Sequence, residues 1–157
     1  MYYDFAIENG IDELNAHLLS QMVQDRDQLL EISQQESYQN AVRTFVEFMN
    51  YFFRNKKTAI TYLENNAFSS GQSDRKNDRD SFQCFLNIAN IFTDDYHNNK
   101  SVDDDSWTDL LEKAHDSDFD SVRFLTAVSQ ARDALIRSAN LSLVIDQLLY
   151  RISGGDN

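Results

Sequence analysis

Chemistry in this sequence would have to come from its histidines, its aspartate clusters or its one cysteine. His17, His97 and His115 are the only histidines, and each falls on a separate predicted element. Asp94, Asp95 and His97 are close in sequence, but adjacent positions on a helix do not face one way, so they make no ligand set without further donors. His115 and Asp116 would likewise need more His and Asp from other helices to hold a hydrolytic metal. Asp116, Asp118 and Asp120 repeat the first, third and fifth places of a calcium loop. Such a loop also needs a glycine for its sharp turn at the sixth place and a bidentate glutamate at the twelfth, which here are Ser121 and Ala127. Asp103, Asp104 and Asp105 fail in the same way, with Ala114 at the twelfth place. Both clusters read instead as helix caps. Cys84 lies between Phe82 and Phe85 on an apolar helix, the setting of a buried, inert thiol. Only Gly154 and Gly155 are paired glycines, and no helix follows them to cradle a phosphate. The expectation is therefore no catalytic residue, no metal and no cofactor.

The elements that position these residues follow from composition. The chain has 157 residues, 41% of them hydrophobic, with eleven phenylalanines, enough for one sizeable core. Proline is absent, where ordinary usage would supply roughly eight, and there are four glycines. So few breakers leave long helices joined by short polar turns, an all-α fold. The net charge of −12, with 14 basic residues scattered among 26 acids, argues against any direct grip on nucleic acid, because phosphate binding needs clustered Lys and Arg. A lone cysteine excludes an internal disulfide and suits a reducing compartment. The first residues carry no charged-then-apolar leader, and no apolar run approaches twenty residues, so no membrane contact and a cytoplasmic location are expected.

Taken in order, Tyr2 to Glu8 are apolar with aromatic weight, and Gly10 separates them from a predicted helix over 11–32, with a polar interval from Asp25 to Gln28. Ser33 or Ser37 is expected to cap the next helix, which runs to about Phe53. Its stripe of Tyr38, Ala41, Val42, Phe45, Val46, Met49, Phe52 and Phe53 marks it as central to the core. Asn55 starts a shorter helix with Ala59, Ile60, Leu63 and Ala67 inward and Lys56 and Lys57 outward. Residues 68–80, FSSGQSDRKNDRD, read as an exposed, mobile and protease-sensitive loop within one domain. Phe82, Phe85, Leu86, Ala89, Phe92 and Tyr96 place a helix over about 80–97. Trp107, Leu110, Leu111 and Ala114 mark a short one after it. Phe119, Val122, Leu125 and Val128 are expected on the inner face of the next.

The end of the chain is its most apolar part. Val128, Ala131, Leu135 and Ile136 form one stripe. SAN then breaks the helix, with Asn140 as N-cap, and Leu141, Val144, Ile145, Leu148, Leu149 and Ile152 follow on a face wider than one antiparallel neighbour covers. The glycine-containing SGGDN closes it. The spacing of Arg132, Leu135, Asn140, Leu143, Leu148, Leu149 and Ile152 resembles the end of the delta-prime subunit of bacterial DNA polymerase III, in the C-terminal collar domain of its Gram-positive form. The resemblance extends back through AVRTFVEFMNYFF, KKTAITYLENN and SFQCFLNIANIFTDDYHNNK, covering roughly 35–152 in order. It is carried by helix-packing pattern and by no single diagnostic motif.

What the resemblance implies is assembly. In that family the collar domains of five subunits pack into a ring that holds the clamp loader together, while ATP binding belongs to separate modules whose motifs this chain lacks. On this reading the chain looks like a piece of a longer protein: an N-terminal helical segment over 1–34, a helical collar over 35–153 and a tail over 154–157. The expected fold is a single bundle of about six to seven helices. Its expected partners are the delta and tau/gamma subunits, met through collar domains, with Tyr150 and Arg151 near an inter-subunit surface. The alternative is a stand-alone acidic interaction module, an adaptor or a phage-encoded regulator. An enzyme with a helical fold is the third possibility, and no carboxylate and histidine cluster supports it.

Overall fold

Nothing in this sequence forbids long helices, and helices are what it forms. A computed structural model of the chain describes residues 2–66, 68, 75–137 and 140–154. Among them are nine helices and no strand: α1 (Tyr2–Glu8), α2 (Glu13–Met22), α3 (Arg26–Ser33), α4 (Glu36–Arg54), α5 (Lys56–Asn66), α6 (Arg75–Asn98), α7 (Asp105–Asp116), α8 (Ser121–Ile136) and α9 (Leu141–Ile152). The bundle is all-α, with more helices than the six to seven expected.

One extra helix comes from a cap at Asp25, inside the stretch where apolar spacing predicts a single helix. Residues 11–32 do not form one helix. Asp25 sits in extended backbone and accepts from the Gln28 amide at 2.7 Å, while the Gln28 side chain accepts from the Gln24 amide at 2.8 Å. That reciprocal pair satisfies donors that a continuous helix would have used, so α2 ends and α3 begins. α4 is capped by neither serine: its N-cap is Gln35, without a side-chain bond, and Ser37 is buried inside the first turn. Asn55, Asp104, Asp120 and Asn140 do cap the helices that follow them, each accepting from an amide two or three residues on.

The core is aromatic and centres on α4, α6 and α7. Phe45 is fully buried and meets Phe85 at 5.4 Å, Phe92 at 5.6 Å and Trp107 at 5.9 Å between ring centroids. Most of these rings meet edge to face, the arrangement that aligns the positive edge of one with the negative face of the next. α8 runs antiparallel to α6: Ser121 at its start bonds His97 near the end of α6 at 3.0 Å, and Arg79 near the start of α6 donates to the Leu135 carbonyl at 3.0 Å. α9 folds back along α8, bringing Gly154 against the Arg123 guanidinium. A second, smaller core lies under α1–α3, formed by Ala6, Ala16, Leu19, Val23, Leu29 and Tyr38.

Two further expectations do not hold. The segment 68–80 is not a loop throughout. Phe68 is buried with its ring 5.2 Å from that of Phe82, α6 is helical from Arg75, and Asp78 is buried. Arg75, Lys76 and Arg79 are good helix formers, and the segment extends α6 outward as an amphipathic helix in spite of Asn77, Asp78 and Asp80; residues 69–74 lie outside those described. α8 presents Phe124, Ala127, Val128, Ala131 and Leu135 inward, whereas Val122 is 70% exposed, Leu125 37% and Ile136 71%. Both stripes have helical spacing. The inward one puts the Phe124 ring against the Phe52 and Phe119 cluster. Phe119 precedes the helix and is buried.

Candidate functional site

The expected partner-binding residues lie on α9, whose broad apolar face is used up inside the chain. Val144, Ile145, Leu148, Leu149 and Ile152 are all buried, covered by α8 on one side and α5 on the other, and Leu141 is half-buried. The face that is too wide for one neighbour therefore has two. Tyr150 is 49% exposed on the opposite side and Arg151 is partly exposed. Among the described residues, neither side chain makes a hydrogen bond or ion pair within the chain. Leu143, 52% exposed, stands two turns before Tyr150 on the same side of α9. On α8, Val122, Leu125 and Ile136 share the outward side. Of the six large apolar side chains exposed among the described residues, only Ile7 is elsewhere, so the last two helices hold five. The remaining outward positions of α9 include Ser142, Asp146 and Gln147. That mixture, large apolar residues with uncharged or singly charged polar neighbours, is the make-up of a docking surface.

No family model matches the chain, and the comparisons with curated proteins and with solved structures found no match.

A second constellation was not foreseen from the sequence. Asp95 is wholly buried, and its Oδ2 accepts from Trp107 Nε1 at 2.9 Å and lies 2.7 Å from His17 Nε2. His17 is on α2, Asp95 on α6 and Trp107 on α7, so one carboxylate oxygen ties three helices together. Gln21, one turn along α2, reaches the same imidazole at 3.3 Å. Oriented His–Asp pairs also occur in catalytic sites, but this carboxylate has no exposed surface; both partners meet Oδ2, and Oδ1 is buried without a hydrogen-bond partner among the described residues. It acts as a polar pin. The sequence did carry a signal for it. Asp95 falls in register with Phe85, Ile88 and Phe92 on the inward stripe of α6, a position where an acid has to find a partner.

The other titratable residues are dispersed. His97 is bonded to Ser121, and His97 and His115 both pack against Tyr96, at 5.7 Å and 4.5 Å, while His17 is engaged by Asp95. Asp116 ends α7, Asp118 occupies the left-handed region at φ 57°, and Asp120 caps α8. Among the described residues no group of three or more His, Cys, Asp or Glu is placed to hold a metal ion. The Glu13 carboxyl is held above its ordinary range, first by its hydrogen bond with Asp103 and then by desolvation. Burial, with the Asp80 charge adding to it, pushes the Cys84 thiol from 9.0 up to about 11, so it remains a thiol at neutral pH. Among the described residues no helix is long and apolar enough to cross a membrane.

Proposed function

We propose that this chain is a non-catalytic assembly domain that docks on protein partners through the outer faces of α8 and α9. Its specific form is the collar domain of the delta-prime subunit of a bacterial replicative clamp loader, acting in the cytoplasm during DNA replication. There it packs with the collar domains of the delta and tau/gamma subunits, without touching DNA itself. The observation that carries the docking reading is the concentration of five exposed large apolar side chains on the last two helices, with Tyr150 and Arg151 among the outward residues. Aromatic and arginine side chains dominate the energetics of such surfaces. The helix order and spacing over 35–152 support the collar as the specific form.

Co-elution of the chain with delta and tau/gamma subunits of a Gram-positive clamp loader tests this reading. The chain is expected to enter the complex, and the Tyr150→Ala and Arg151→Ala variants to enter it at least tenfold less well, the order of effect of losing a central contact. Normal assembly by both variants would move the contact to another face. A chain that fails to co-elute is not a collar domain. In that event a stand-alone acidic interaction module is the reading to pursue.

A further inference from the structure

Where the start of α8 meets the end of α9, three segments of the chain, the first running from α4 straight into α5, leave a cleft of about 390 Å³ between them. The end of α4, the start of α5, the turn before α8 and the end of α9 all contribute. Its apolar lining is aromatic. Phe119 and Phe124 are buried with ring centroids 5.2 Å apart, and Phe52 and Phe53 flank Phe119 at 6.4 Å and 5.6 Å. In the centre of the core Phe45, Phe48, Phe85 and Phe92 are at most 1% exposed, whereas Phe52 and Phe53 stay only half-buried, and both line this cleft.

The rim is basic in a protein that is otherwise acidic. Arg54, Lys56 and Arg123 line the cleft together with Asp118 and Asp120. Asp120 is already engaged: it caps α8 by accepting from the Arg123 amide at 3.0 Å and pairs with the Arg123 side chain at 3.5 Å. Arg54 and Lys56 have no carboxylate partner among the described residues; each lies over a ring instead, Arg54 over Tyr51 and Lys56 over Phe52. Asn55 and Asp120 are the N-caps of α5 and α8, so two positive helix ends open on the same space. Three cations against two carboxylates leave one positive charge in excess, with Asp118 placed to repel a second negative charge on a ligand.

We propose that this cleft binds a small aromatic monoanion. Its ring would lie against Phe52, Phe53 and Phe119, and its carboxylate would be held between Arg54 and Lys56. The volume lies within the range of small-molecule sites, and an apolar floor with a few polar groups at the rim is their usual form. This inference does not depend on the assembly reading, because ligand binding is measured on the chain alone.

Indole-3-acetate, its neutral analogue indole-3-acetamide and the cation tryptamine are titrated into the isotopically labelled chain, with backbone amide shifts followed by NMR. Indole-3-acetate is expected to give saturable shifts at Asn55, Lys56, Asp118, Arg123 and Gly154. The amide is expected to bind about tenfold more weakly and tryptamine more weakly still, as loss and then reversal of a charge-assisted contact require. Arg54→Gln and Lys56→Gln change exposed side chains, so both variants should stay folded. Each should weaken binding of the anion several-fold and that of the amide by a smaller factor, since the amide oxygen can still accept but carries no charge. Equal affinity for all three compounds would overturn anion recognition. Shifts centred away from the cleft, or no saturation by roughly 10 mM, would overturn the site itself.

Discussion

The core under α4, α6 and α7 and the core under α1–α3 are built from different materials. The first is a mass of aromatic rings, with Phe45, Phe48, Phe82, Phe85, Phe92 and Trp107 almost wholly buried. The second is made of alanines, a valine, two leucines and one tyrosine. Large rings each remove on the order of 150–250 Å² from water, so the first core holds itself together by area. The second buries less, because the rings packed against it, Tyr2, Tyr3 and Phe5, are only partly buried. It is fastened to the rest by directed polar bonds as well as by shared apolar contacts: Tyr38 donates to Asn15 at 2.6 Å, and His17 meets Asp95 at 2.7 Å. Met22, Val42 and Cys84 pack against both cores. The difference makes α1–α3 the part that opens first, while the aromatic core sets the global stability.

Removing a ring from the larger core should have the greatest effect. Phe45→Ala is expected to cost about 3–5 kcal/mol, lowering the urea midpoint for every probe of folding together. Leu148→Ala, on the buried side of α9, should cost about 2–5 kcal/mol in the same global way. If either variant unfolded only locally, the division into a global and a fastened core would be wrong.

Cutting the pin should act more narrowly. Asp95→Ala leaves the Trp107 indole N–H and the His17 imidazole without their shared acceptor, at a cost of about 1–3 kcal/mol. Amide exchange should accelerate most in α1–α3. Uniform acceleration across α4–α6 would show that the pin belongs to the main core.

A pH effect of smaller size should separate the two cores further. Burial raises the Tyr38 hydroxyl above its ordinary 10.0 and lifts the Cys84 thiol from 9.0 to about 11. Each folded value lies above its unfolded one, so each contribution is complete below the unfolded value and is lost as pH rises through the folded one. Stability should therefore begin to fall near pH 9, where the unfolded thiol first ionises. Tyr38→Phe should cost about 1 kcal/mol at neutral pH, for the lost bond to Asn15, and flatten the alkaline fall. Urea midpoints at neutral and alkaline pH measure both, and an unchanged alkaline slope in the Tyr38→Phe, Cys84→Ala double variant would remove these groups as its source.

The smallest stability effect is expected on the outer face of α9. Tyr150→Ala and Arg151→Ala should change folding stability by less than about 0.5 kcal/mol, as surface substitutions do, even where they weaken assembly. A larger loss in thermal melts would make the two residues part of the fold and remove them from the docking surface.

What the sequence determined by itself is local. Helix identity follows from the absence of proline and from apolar residues at three- and four-residue steps. The starts of α5, α7, α8 and α9 follow from Asn55, Asp104, Asp120 and Asn140, whose side chains bond to amides only two or three residues away. The same chemistry at Asp25 was present but hidden, because the residues around it also fit a continuous helix. Tertiary structure decided what no local rule reaches. α8 carries two apolar stripes, and only the shape of the neighbouring Phe52 and Phe119 cluster selects Phe124 and buries it in preference to Val122 and Leu125. His17 and Asp95 are 78 residues apart, and the cleft at Arg54 and Lys56 is bounded by three separate segments. Backbone preference acts over one or two turns of helix, whereas partner choice and cavity shape depend on which side chains long-range packing brings face to face.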